Sequence, residues 1–175
     1  MTPSSCSGLL RRTCRSARSL LSSLLLLFAL VASAQTTYQI GTGTTTDSYF
    51  PIYSCYVYNY SQQIYTAAEL NAAGASGPQI ISKLRFNYVS GGTTTTNWNN
   101  WTIYLGNTAL SALATTSSWV PVGSLTQVYS GGFTPTAGTW VEFTLTTPYI
   151  WDGSSNLLVA IDENVSGYSC TANWL

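Results

Sequence analysis

Across residues 79–89 the side chains alternate with a period of two. Ile80, Leu84, Phe86 and Tyr88 fall on one side of an extended chain, and Lys83, Arg85 and Asn87 on the other. That period belongs to a strand with one buried face and is incompatible with an amphipathic helix. It recurs at 101–105, where Trp101, Ile103 and Leu105 alternate with Thr102 and Tyr104, and at 140–145, where Val141, Phe143 and Leu145 alternate with Glu142 and Thr144. Residues 157–162 place Leu157, Val159 and Ile161 on one face and Leu158 and Ala160 on the other, the pattern of a central strand covered on both sides. Weaker extended runs lie at 38–40, 50–53, 63–66 and 125–129. Only residues 67–73 have helical composition, for at most two turns.

Turn chemistry separates these runs: 74–78, Gly91-Gly92, Gly131-Gly132, Gly138 and Asp152-Gly153. The polar tracts 42–46 and 93–100 read as solvated loops or exposed edge strands, because threonine tolerates extended backbone. About eight short strands with turn signals and almost no helix predict an all-β fold. The expected architecture is an antiparallel two-sheet β-sandwich of jelly-roll or immunoglobulin-like type. No internal repeat of propeller or solenoid length is present.

The first 34 residues are of a different kind. Arg11, Arg12, Arg15 and Arg18 precede an apolar run from 20 to 31, and Ala32-Ser33-Ala34 offers small residues at a cleavage site. This is the order of a secretory signal peptide spanning 1–34, with an apolar run too short for the roughly 20 residues that cross a bilayer. Cleavage before Gln35 leaves one domain, 35–175, without a membrane span. In that domain Lys83 and Arg85 are the only cations against Asp47, Glu69, Glu142, Asp152, Asp162 and Glu163, four net negative charges. Two cations cannot track a phosphate backbone, so nucleic-acid binding is excluded. Aromatic residues make up 13% of the chain, so the disorder of a charged, weakly hydrophobic polymer is excluded as well.

Cys55 and Cys170 remain after cleavage. Export permits a disulfide between them, and closing so long a loop is worth about 4–5 kcal/mol in the chain-entropy model. Spacing alone does not decide between that bridge and two separate thiols.

Five segments carry a resemblance: Tyr49-Phe50-Pro51-Ile52-Tyr53; residues 60–70, YSQQIYTAAEL; residues 100–106, NWTIYLG; Gly138-Thr139-Trp140-Val141; and residues 149–164, YIWDGSSNLLVAIDEN. In this order they resemble a β-sandwich module found near the N-terminus of large secreted or cell-surface proteins of Bacteroidota-like bacteria, which carry a type IX secretion sorting domain. The resemblance covers most of 36–170. It implies location and architecture and brings no catalytic residues. Such proteins continue with further strands and domains, so a chain ending at Leu175, just after a strand-like 172–174, reads as truncated.

The absence of histidine removes Ser-His-Asp and Cys-His nucleophiles and histidine-ligated zinc. No phosphate-cradling glycine loop followed by lysine occurs. Glu142 and Asp162 both face outward by the alternation, and form a carboxylate pair of glycosidase type only if their strands adjoin; solvated surface acids are the plainer reading. Asp162 and Glu163, adjacent on a strand, point to opposite faces. No catalytic residue or cofactor is expected. Calcium is the one cation with suitable ligands, at Asp47, Asp152, Asp162 and Glu163, although Asp152 equally serves its turn.

Aromatic side chains give the remaining candidates. Tyr56, Tyr58 and Tyr60 share one face of an extended segment, and Trp98, Trp119 and Trp151 lie where alternation does not clearly bury them. Exposed rings stack on sugars or anchor protein partners; otherwise they form a second core layer. The expected function is a non-catalytic extracellular adhesion or architectural module with a glycan or protein ligand at the cell surface. The alternatives are a carbohydrate-binding module or an accessory domain of a secreted hydrolase.

Overall fold

In the computed structural model, the alternating runs become strands whose inward side chains meet across two antiparallel sheets. The structure describes residues 35–92 and 96–175; the expected signal peptide, 1–34, lies outside the described residues. Residues Tyr38–Leu175 form one compact unit. Its strands are β1 Tyr60–Tyr65, β2 Gln79–Ser90, β3 Trp101–Thr108, β4 Thr126–Gly131, β5 Thr139–Trp151, β6 Asn156–Glu163 and β7 Asn173–Trp174. Among the described residues they make a four-stranded sheet in the order β1-β6-β3-β4 and a three-stranded sheet in the order β5-β2-β7. The fold is an all-β sandwich. Only β3 and β4 are sequential neighbours within a sheet, and every other connection crosses between the layers.

The core is aromatic. Trp101, Ile103 and Leu105 of β3, Leu157, Val159 and Ile161 of β6, and Val141, Phe143 and Leu145 of β5 face one another between the sheets. Trp98, Trp174 and Phe133 close one end around Trp101. The strand at 157–162 is central, as its pattern requires: β6 pairs with both β1 and β3, and Leu158 and Ala160 are buried on its outward face. The loop between β3 and β4 contributes to their cover. Gln62 exchanges hydrogen bonds with the backbone of Val120, at 2.7 and 2.9 Å, and the Asn156 amide donates to the Leu110 carbonyl at 2.9 Å.

Among the described residues the one α-helix, α1 (Ala67–Ala72), starts on a capping box. The Glu69 amide donates to the Thr66 hydroxyl, and the Thr66 amide to the Glu69 carboxylate, so two otherwise orphaned donors are satisfied reciprocally. The Thr66 amide and then its hydroxyl, both donating to the Glu69 carboxylate at 2.8 Å, hold that carboxyl below its ordinary value.

Local pattern fails at Ile80, in the runs 38–40 and 50–53, and in the tract 93–100. Ile80 faces solvent and Ile81 packs on the core, because an irregularity between Ile81 and Lys83 shifts the pairing of β2 with β5 and resets the alternation. Residues 38–40 and 50–53 are not strands; nearby, Asp47 makes a single bridge to Trp174. In the tract 93–100, Thr96–Trp98 form a 3-10 turn whose Asn97 and Trp98 are buried. Lys83 and Arg85 do lie on the outer face, but both grip Glu142, at 2.5 and 2.5 Å. Those contacts hold the Glu142 carboxyl below its usual range.

Candidate functional site

Residues 47–59 cross the end of the sandwich where β6 finishes, and are fastened from several sides. Ile52 is fully buried and anchors the segment in the core. Cys55 forms a disulfide with Cys170, 115 positions away. Beside it the Ser54 carbonyl accepts from the amides of Ser169 and Cys170, at 3.0 and 3.3 Å. The Tyr58 amide donates to the Val165 carbonyl at 3.1 Å, while Tyr58 itself holds a left-handed backbone, φ 51°. That conformation costs a non-glycine residue roughly 1–2 kcal/mol, which the surrounding tethers offset. The Ser61 hydroxyl donates to the Pro51 carbonyl.

Glu163 secures the segment from beneath. Its side chain points inward from the end of β6, is fully enclosed, and accepts from the amides of Asn59 (3.3 Å) and Val165 (3.0 Å). Desolvation raises its carboxyl above the ordinary glutamate value, against the lowering effect of those amides and of Asn97. Asn97, also enclosed, donates its amide to the Gly167 carbonyl at 3.1 Å. One buried carboxylate and one buried amide thus hold loops 53–59 and 164–170 together.

On this frame stand the exposed rings. Tyr49, Phe50, Tyr56, Tyr58 and Tyr168 are all exposed, Tyr56 and Tyr58 at 65% and 64%. Tyr53 lies among them, stacked on Tyr49 at 4.6 Å and edge-on to Tyr56 at 5.3 Å. Rings on a loop this firmly tied lose little further freedom on binding.

A second group lies on the outward face of the four-stranded sheet. Register places Tyr60, Asp162 and Thr102 in one row across β1, β6 and β3, with Gln62, Ala160 and Tyr104 in the next. Trp119, in the loop between β3 and β4, meets Tyr60 edge-on at 5.2 Å. Gln62 locks that loop and also donates to the Tyr60 hydroxyl at 2.8 Å. Burial raises the Tyr60 phenol above its ordinary value, and the neighbouring Asp162 and Tyr104 add to the rise; burial and then Asp162 do the same for Tyr104.

The sequence-derived candidates therefore divide. Tyr60 and Trp119 meet on the sheet face, and Tyr56 and Tyr58 lie on the pinned loop. Tyr56, Tyr58 and Tyr60 do not share one extended face, because only Tyr60 is in a strand and the chain turns at Tyr58. Trp98 and Trp151 are not surface groups. Both are about 1% exposed, and their indole N–H groups donate to the carbonyls of Gly92 and Ser155 at 2.8 and 2.7 Å; hydrogen-bonded this way, an indole can be buried entirely.

The proposed calcium ligands do not converge. Asp47 accepts from the Tyr49 amide at 2.5 Å. Asp152 accepts from the amides of Ser154 and Ser155 and from the Ser155 hydroxyl, at 2.8, 2.7 and 2.6 Å, which hold its carboxyl down to about 2. Asp162 is on the outer sheet face and Glu163 inside. Among the described residues no three acidic or cysteine side chains gather as a metal site. Glu142 and Asp162 belong to different sheets, so they do not form a carboxylate pair.

Tyr49, Phe50, Tyr53, Tyr168 and Tyr104 escaped the sequence reading as site residues. The cluster of rings around Cys55 was a usable signal, and Tyr104 was already outward by alternation. Fold and geometry together define a two-sheet antiparallel β protein with a disulfide-pinned aromatic loop. No protein-family model matches the chain, and no curated protein or solved structure is significantly similar to it.

Proposed function

We propose that this chain is a non-catalytic extracellular adhesion module that binds a protein partner through the loop pinned by Cys55–Cys170. The carrying observation is the exposure of Tyr49, Phe50, Tyr56 and Tyr58 on a segment held by buried Ile52 and backbone bonds, and of Tyr168 on the loop that the disulfide ties to it. Tyrosine supplies large, amphipathic contact area with few rotatable bonds, which is why binding loops are rich in it. A firmly held aromatic patch is the chemistry of an interface hot spot.

Location fits this reading. The described residues contain no helix long and apolar enough to cross a membrane, and a disulfide is compatible with an extracellular protein. The charged, apolar, small-residue order of the first 34 residues supports export. The resemblance to N-terminal modules of type IX secretion proteins supports the cell surface as destination.

The test is adhesion of beads coated with the chain to cells, before and after protease treatment of the cell surface. Wild-type beads adhere and lose adhesion when surface proteins are removed. The double variant Tyr56→Ser/Tyr58→Ser, altered only at exposed positions, weakens adhesion about tenfold or more. Equal adhesion by the double variant, or reproducible hydrolytic turnover by the purified chain, overturns the proposal.

A further inference from the structure

We propose that the outward face of the four-stranded sheet is a second site, taking a neutral saccharide, with Trp119 as the stacking surface and Asp162, Tyr60 and Tyr104 as the hydrogen-bonding groups. Trp119 is 46% exposed although its loop is locked to β1 through Gln62 and Val120. Its indole is therefore held at the surface by a fixed backbone. The loop carries it to the edge of Tyr60, directly beside the row that contains Asp162.

The polar groups of that row and of Tyr104 in the next retain hydrogen-bonding capacity. Among the described residues no donor is bonded to the Asp162 carboxylate, although the side chain is half-buried between Tyr60 and Thr102. The Tyr60 hydroxyl accepts from Gln62, which leaves its own proton to donate. Tyr104 is half-buried, and among the described residues its hydroxyl makes no hydrogen bond. Both phenols are held above their ordinary values, so they remain donors at neutral pH. An acceptor flanked by two donors matches a sugar hydroxyl, which gives one proton and accepts another.

A cationic ligand fits less well. Cation recognition by aromatic rings needs several faces directed at one point, whereas the single ring contact here, Tyr60 with Trp119, is edge-on at 68°. Tyr104 stacks with neither ring. A carboxylate and two hydroxyls in adjacent rows beside one exposed indole suit a sugar ring lying along the sheet. This site shares no residue with the pinned loop and does not depend on the adhesion reading.

Affinity electrophoresis of the full chain through gels containing mixed-linkage β-glucan, xylan or galactomannan tests the proposal, with choline chloride as the cationic counter-probe. At least one polysaccharide retards the wild-type chain. Trp119→Ala and the near-isosteric Asp162→Asn each reduce that retardation about tenfold, Trp119→Tyr restores part of it, and Tyr56→Ser/Tyr58→Ser leaves it unchanged. The indole N–H resonance of Trp119 shifts on titration with the retarding polysaccharide's oligosaccharide, and a wild-type-like spectrum of Asp162→Asn shows that its loss is not unfolding. No retardation by any of the three, equal retardation of folded Asp162→Asn, or retardation abolished by choline but not by free oligosaccharide overturns the proposal.

Discussion

The indole of Trp101 lies parallel to the ring of Phe143, 5.6 Å between centroids and 7° between planes, and this contact joins the two sheets near one end of the sandwich. Trp101 comes from β3 and Phe143 from β5, so neither can leave without opening the interface. Trp98, Phe133 and Trp174 meet Trp101 from other sides, and its N–H donates to the Asn97 carbonyl at 2.7 Å.

Trp101→Ala removes this joint and leaves a cavity that the surrounding rings cannot fill. The expected loss is about 3–5 kcal/mol, read from urea unfolding followed by circular dichroism. A loss below about 1 kcal/mol would show that the core repacks around the gap.

The disulfide acts on the loop and on the unfolded chain together. Cys55→Ser/Cys170→Ser is expected to lower stability by about 2–5 kcal/mol and to open residues 53–59 to limited proteolysis. Treating the wild type with reductant should reproduce both changes. A protease-resistant loop in the double variant would show that Ile52 and the backbone bonds to 164–170 suffice.

Glu163 gives stability a distinctive pH dependence. Its folded value is raised by burial, so the folded state holds the proton to higher pH than the unfolded state does. Stability then falls as pH rises from the ordinary glutamate value through the folded one. Glu69, Glu142 and Asp152 are shifted the other way, and their contributions are lost only as pH falls below the ordinary carboxylate range. Glu163→Gln is expected to remove the decline above that range. The variant sets an amide N–H against a backbone donor, at a cost of about 1–3 kcal/mol. Thermal melts from pH 4 to 8 on both proteins check this; parallel curves would contradict it.

Gly153 cannot carry a side chain. It holds a left-handed backbone, φ 84°, and a Cβ there would drive into the backbone of Gly77. Gly153→Ala is expected to cost more than about 1 kcal/mol, whereas Gly123→Ala, at a position with open space around it, should be nearly neutral. Differential scanning calorimetry of the pair separates the two cases.

Much of the sheet was legible in the chain. The runs at 101–105, 140–145 and 157–162 became β3, β5 and β6 with the expected faces inward, because alternation is a local record of which side meets the core. Alternation put Ile80 on the inward face, where Ile81 packs instead, since the irregularity that exchanges them depends on how β5 pairs alongside. Trp98 and Trp119 show the same limit for loops. Each lies in a polar stretch, yet one is sealed in the core by Trp101, Phe133 and Trp174 and the other stands at the surface against Tyr60.

The sequence by itself determined an all-β chain with strands near 79–89, 101–105, 140–145 and 157–162, and with Asp162 and Glu163 on opposite faces. Tertiary structure alone decided that Glu163 is enclosed while Asp162 remains accessible, that Cys55 meets Cys170, and which aromatic rings reach solvent. The period of a strand is written within a few residues, but a tyrosine or tryptophan is amphipathic. Its burial is settled by what distant segments bring to its other side, and here the crossings between sheets and the loops at their ends make that choice.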